Sequence, residues 1–116
     1  GINKIINAIQ NDIEITKYAY QIVTASNDFK AINKPELSIF CFQYIGKTND
    51  NKLNKLNKKI IELIEEDGRI FLSGTLINNT SVLRINCINH RRKKSDIDFL
   101  FKILRELGKK ASISIT

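Results

Sequence analysis

One guanidinium stands out among the residues able to do chemistry. Arg84 lies inside the apolar run Val82-Leu83-Arg84-Ile85, where a strand would hold it between hydrophobic neighbours. A guanidinium offers a planar fork of donors that matches a carboxylate bidentately. Capture of an anion is therefore the chemistry on offer, with a strand arginine on a solvated face as the plainer alternative. The single histidine, His90, has no acid or thiol beside it in triad order and reads as a loop residue. Cys41 and Cys87 each sit alone in an apolar run rather than in a ligand-spaced cluster, which predicts buried, reduced thiols and no metal site. Gly68 and Gly74 flank a predicted strand instead of opening a helix, so they form no phosphate-cradling loop. The acidic residues fall on predicted helix surfaces and loops, where solvation accounts for them. The basic run Arg91-Arg92-Lys93-Lys94 could meet phosphates, but it lacks interleaved aromatics and reads first as a solvated loop.

A chain of 116 residues suits one domain and can bury roughly two-thirds of its unfolded surface. Hydrophobic content of 42% and charged content of 27% are ordinary globular values, so a packed core is expected. No apolar run approaches the ~18 residues of a membrane span, and no signal-peptide pattern opens the chain; no membrane partner is expected. Reduced thiols lead to the expectation of a cytoplasmic setting. The start at Gly1 and the lack of methionine predict a piece excised from a longer chain. A net charge of +7 raises nucleic acid or an anionic surface as partners. Outside the 91–94 run, however, the basic residues are dispersed.

The elements that must position Arg84 follow from periodicity. Residues 2–26 predict a long helix whose stripe runs Ile2, Ile5, Ile6, Ile9 and Ile13, then shifts to Ile15, Tyr18, Ala19, Ile22 and Val23. A stripe that wide implies contact with more than one surface. Phe29–Ile32 predicts a short strand, followed by a turn near Asn33-Lys34-Pro35. Leu37–Tyr44 predicts a central strand, with Leu37, Ile39 and Cys41 on one face and Phe40, Phe42 and Tyr44 on the other; both faces are apolar, so cover on both sides is expected. Residues 52–67 form an amphipathic helix closed by Gly68 in the left-handed conformation. Its charges oppose the helix dipole, with Lys52 and Lys55 early and Glu65, Glu66 and Asp67 late, so it must rely on packing.

Arg69–Ile77 and Val82–Asn89 predict a hairpin about Asn78-Asn79-Thr80-Ser81. In the second strand Leu83, Ile85 and Cys87 share one face, and Val82, Arg84, Asn86 and Ile88 share the other. Ser95 is expected to cap the last helix with Asp98 as a capping-box partner. Its stripe is Ile97, Leu100, Phe101, Leu104 and Leu107, and Gly108 should close it. Ile113 and Ile115 could then add an edge strand. The fold class is α+β: a small, mostly antiparallel sheet with helices packed on one face. The face carrying Arg84 would want a partner.

Taken together, several strings resemble the C-terminal part of the group II pyridoxal-phosphate-dependent amino-acid decarboxylases, the family of aromatic-amino-acid, glutamate and diaminobutyrate decarboxylases. They run from Glu36 through Leu37-Ser38-Ile39-Phe40-Cys41-Phe42-Gln43 to Tyr44, then Leu53 with Leu56, then Gly68-Arg69-Ile70-Phe71-Leu72-Ser73-Gly74-Thr75. Leu83-Arg84, Ile88-Asn89-His90-Arg91 and Ser95-Asp96-Ile97-Asp98-Phe99-Leu100 complete the set. The resemblance implies the small C-terminal domain of a fold-type I enzyme, packed beside a large cofactor-binding domain of a homodimer. Residues 1–28 would be the helix leading in from the large domain, and 29–116 the small α+β domain.

The implied function is that of a carboxy-lyase in the parent, with this domain helping to close the active site. The resemblance also implies Arg84 as a substrate-binding residue that meets the substrate carboxylate. Pyridoxal 5'-phosphate would be the parent's cofactor. The family's cofactor lysine, next to a histidine, has no counterpart here, and the aspartate that pairs with the pyridine nitrogen belongs to the large domain. No catalytic or cofactor-binding residue is therefore assigned to this chain, and the isolated fragment is expected to be inactive and to bind no cofactor. Gln43 stands where many relatives have arginine, and Arg92-Lys93 where many have threonines, which leaves the substrate open. Two other readings stand beside this one: a basic α/β nucleic-acid-binding module, and a structural or dimerisation domain of the same parent.

Overall fold

The structure is a computed structural model and describes residues 1–86 and 93–116. Its elements run α1 (Ile2–Ala25), β1 (Phe29–Ala31), β2 (Ile39–Tyr44), a single 3-10 turn (Asp50–Lys52), α2 (Leu53–Asp67), β3 (Ser73–Ile77), β4 (Thr80–Asn86) and α3 (Lys94–Ile115). The four strands form one sheet in the order β1-β2-β4-β3, with every neighbouring pair antiparallel. The fold is thus the α+β layer that the pattern predicts.

Strand alternation divides the sheet into two faces. Phe40, Phe42 and Tyr44 of β2, Leu83 and Ile85 of β4, and Phe29 of β1 join one hydrophobic core. Ile15, Ala19 and Val23 of α1, Leu56, Ile60, Leu63 and Ile64 of α2, and Ile97, Leu100, Phe101, Leu104 and Leu107 of α3 supply the other half of that core. All three helices therefore lie on the same side. Edge-to-face rings knit the centre: Phe29 meets Phe42, Tyr44 and Phe101 at centroid distances of 5.8, 5.4 and 5.2 Å.

Local physics explains several departures from the sequence reading. Leu37 is exposed with φ 53°, and Glu36 and Ile39 exchange backbone hydrogen bonds across a tight turn; β2 therefore begins at Ile39, not Leu37. β3 begins at Ser73 rather than Arg69, because Ile70 drops into the core instead of extending the ladder. The hairpin turn is the two-residue Asn78-Asn79, both left-handed at φ 51° and 64°, and Thr80 and Ser81 already pair in β4. Lys93, not Ser95, precedes the first turn of α3: its backbone N–H donates to the Asp96 carboxylate at 2.8 Å, while Asp98 instead accepts from the Tyr18 hydroxyl.

Gly108 does not close α3, which runs on to Ile115 and leaves no edge strand there. The glycine makes room for a ring, since a Cβ at Gly108 would lie 2.6 Å from atoms of Tyr44. Gly68 ends α2 in the left-handed conformation at φ 75°, as its position predicts. Of the late acidic residues of α2, Asp67 is drawn off by Arg69, which bonds it at 2.8 Å and Glu106 of α3 at 3.1 Å. Cys87 and Ile88 of the second predicted strand, with Asn89, lie outside the described residues.

The two halves of α1 differ. Its second half is part of the core, whereas Ile2, Ile5, Ile6 and Ile9 are all more than half exposed. No described helix is long and apolar enough to cross a membrane.

Candidate functional site

Arg84 is placed by a ladder of three strands. β4 carries it between β2, where Cys41 is its direct partner, and β3, where Ser73 is. Alternation turns its side chain away from Leu83 and Ile85, which face the helices. It therefore shares a face with Lys30, Ile39, Cys41, Gln43, Ser73, Thr75, Ile77, Val82 and Asn86. None of the helices α1, α2 or α3 covers that face, because all three pack into the opposite core. The expectation that β2 is central and buried on both sides holds: Cys41 and Gln43 on this face are 6% and 3% exposed, although none of the described helices supplies the cover here.

The open face is not uniformly apolar. Val82 and Cys41 are buried among their neighbours, and Gln43 is 3% exposed with its amide donating to the Ser81 carbonyl at 3.0 Å. Around them Ser73, Thr75 and Asn86 contribute short polar groups, and the Ser38 hydroxyl donates to the Asn86 side-chain oxygen at 3.4 Å. Arg84 is half-buried in this setting. Among the described residues its guanidinium has neither ion pair nor hydrogen-bond partner, whereas Arg69 and Arg105 each hold a carboxylate at 2.8 Å. Its electrostatic presence is felt at Cys41: burial pushes that thiol up, and the neighbouring guanidinium partly offsets the rise. A half-buried guanidinium on a shelf of small polar groups, unpaired among the described residues, can bind a carboxylate through two parallel hydrogen bonds.

The other sequence candidates fare differently. His90, Arg91 and Arg92 lie outside the described residues. Lys93 opens α3, and Lys94 sits over the Tyr18 ring at 5.3 Å, so the described half of the basic run serves the helix start and a cation–π contact. Cys41 is a free, buried thiol, as its apolar run predicts. No group of His, Cys, Asp and Glu among the described residues could hold a metal ion.

A Schiff-base cofactor would need an amine held in an enclosed, desolvated pocket. The described lysines are exposed except Lys59, which is half-buried and faces Glu62 at 3.6 Å on one turn of α2. The described residues therefore do not fit pyridoxal phosphate. Sequence reading found Arg84 but not its companions Ser73 and Cys41, because cross-strand register is set by the Asn78-Asn79 turn and the β2–β4 pairing. It also missed Asn57, buried on α2, whose side chain bonds both the N–H and the carbonyl of Tyr44 at 2.9 and 3.0 Å.

No family model matches the chain. It is 27% identical over 89 residues to tyrosine decarboxylase 3 of Petroselinum crispum, covering 72% of this chain and 17% of that protein. The structure of Rhodiola rosea 4-hydroxyphenylacetaldehyde synthase superposes with a TM-score of 0.85 at 19% identity, covering 95% of this chain and 24% of that one. Oryza sativa TDC, solved with PLP and tryptamine, superposes at 0.83 and 15% identity, over 95% and 24% of the two chains. The chain spans about a fifth of the length of the curated relatives it matches. It is thus similar in sequence and in fold to pyridoxal-phosphate-dependent decarboxylases, and its α+β layer is a fold found within them.

Proposed function

We propose that this chain is the C-terminal small domain of a pyridoxal-phosphate-dependent amino-acid decarboxylase. In this reading the Arg84-bearing sheet face lies against the large domain that holds the cofactor, within a homodimeric cytoplasmic enzyme. The observation that carries it is the asymmetry of the sheet: three helices roof one face, and none of them roofs the face with the Arg84 guanidinium, which has no partner among the described residues. An arginine there, brought to the seam between domains, is placed to orient a substrate carboxylate, and the docked sheet would exclude water around it. A charge-assisted bidentate contact of this kind is stronger than a neutral hydrogen bond. The chain's own part is to bind and orient; the cofactor supplies electron withdrawal from the large domain.

The test uses the full-length parent enzyme. Arg84→Ala should raise KM for the amino acid by about tenfold or more, the factor equivalent to roughly 1.4 kcal/mol. Arg84→Lys should recover only part of the loss, because an ammonium lacks the planar fork. Unchanged KM and turnover in both variants would leave this chain a purely structural domain of the parent.

A further inference from the structure

We propose a second binding site, unrelated to Arg84, at the opposite layer of the molecule: a cavity beside Tyr44 that takes a small organic carboxylate with an apolar body. The cavity has a volume of about 540 Å³ and is lined by Asn27, Asp28, Tyr44, Gly46, Lys47, Lys109, Ser112 and Ile113. Pockets for small molecules run roughly 300–1,000 Å³ and are mostly apolar with a few placed polar groups, and this one conforms.

The site is built around one ring. Tyr44 ends β2 and is only 5% exposed. Two glycines give way to it: a Cβ at Gly108 would lie 2.6 Å from its ring, and one at Gly46 would lie 3.0 Å away. Gly46 has φ 50°, which an L side chain rarely adopts. The Asp28 carbonyl accepts the N–H groups of Ile45 and Gly46 at 2.8 and 3.2 Å, which fixes the loop over the ring. Phe29 closes the inner side edge-on at 5.4 Å. The ring is thus clamped in place, while its hydroxyl, which donates to no described residue, belongs to the cavity lining and is available to a ligand there.

Charge selects the acceptor. Lys47 and Lys109 border the cavity, and neither has an ion pair among the described residues. The one acid in the lining, Asp28, is already held by Arg105 at 2.8 Å. Burial, and the nearby Asp28 charge, push the phenol's pKa up, so the hydroxyl stays a donor at neutral pH. Two lysines and a phenol O–H thus border the cavity and suit an anionic group, with Ile113, 78% exposed, as apolar wall. The backbone N–H groups of Ile45, Gly46 and Thr48 are spent on carbonyls, so the loop offers no nest of the kind that favours phosphate. A carboxylate on a ring-sized apolar body fits best.

The test is a titration of the full 116-residue chain with 3-phenylpropionate, followed by amide chemical shifts. Inorganic phosphate and the neutral 3-phenylpropanol serve as comparison probes. The expected result is saturable binding with a Kd on the order of 1 mM or below, with shifts confined to Gly46, Lys47, Lys109, Ser112 and Ile113. The double variant Lys47→Ala/Lys109→Ala changes only surface side chains and should weaken binding by about tenfold or more; Tyr44→Phe, which keeps the ring, should weaken it several-fold. Equal shifts with the alcohol, equal shifts with phosphate, or binding unchanged in the double-lysine variant would each overturn the proposal.

Discussion

The two faces of one sheet obey different rules in this molecule. On the helix side, Phe40, Phe42 and Tyr44 of β2 and Leu83 and Ile85 of β4 are large apolar groups locked into a single core. On the other side the same strands carry Cys41, Gln43, Val82 and Arg84, flanked by Ser73 and Thr75 of β3. The first face is stabilised by burial within the chain. The second holds a cation in a half-buried place without an acid to meet it, which stability alone does not explain. The contrast teaches where to look for function: the helix face makes the fold, and the face with Arg84 is where the proposed partner and ligand would sit.

The comparison can be broken most forcefully on the helix side. Phe42 is fully buried among Phe29, Phe40 and Phe101, so Phe42→Ala should cost about 3–5 kcal/mol in chemical denaturation. On the same side, Asn57→Ala strands the N–H and carbonyl of Tyr44 and should cost roughly 1–3 kcal/mol. Gly108→Ala is a sharper case, because intrinsic helix propensity favours alanine by about 1 kcal/mol. The ring of Tyr44 occupies the space the methyl needs, so the measured midpoint should fall, by an overpacking cost of about 1–3 kcal/mol.

On the open face, a change at Arg84 should be nearly silent for stability. Arg84→Ala in this chain breaks no ion pair with a described residue and should stay within about 0.5 kcal/mol of wild type. A cost of several kcal/mol there would show that Arg84 is a structural residue and erase the contrast. The smallest effect is a pH dependence. Burial raises the Cys41 thiol, so the folded state keeps its proton where the unfolded thiol, near a pKa of about 8.5, gives it up. The folded state then binds more protons. The thiol's contribution is full below the unfolded pKa and falls as pH rises through the folded one. Urea midpoints taken between neutral and alkaline pH should drop more for wild type than for Cys41→Ala. Because Arg84 opposes the rise, Arg84→Ala should slow alkylation of Cys41 at a given alkaline pH.

Much of this architecture was legible in the residues, and the exceptions share a cause. The stripes of α2 and α3 and the alternation of β2 and β4 predict the elements and the helix-bearing face, because burial imposes a period on the sequence. Leu37 looked like a strand residue because its hydrophobicity was read without the left-handed turn at Glu36–Ile39. Gly108 looked like a helix end because the usual reason for glycine is φ freedom; here it is a close approach by Tyr44, a long-range contact. Ser95 looked like a cap because its hydroxyl is suited to one, yet Asp96 closes the helix start. For the site, Arg84 was visible as a charge in an apolar run. Its neighbours Cys41 and Ser73 come from register, which no local pattern encodes.

The most direct measurement pairs an amino acid with its own decarboxylated amine in the full-length parent enzyme. The amino-acid substrate and the amine left when its carboxylate is lost differ at the group that Arg84 is proposed to hold. Arg84→Ala should weaken binding of the amino acid by about tenfold or more while leaving the amine's inhibition constant unchanged. Equal weakening of both ligands, or of neither, would contradict the assignment of Arg84 to the substrate carboxylate.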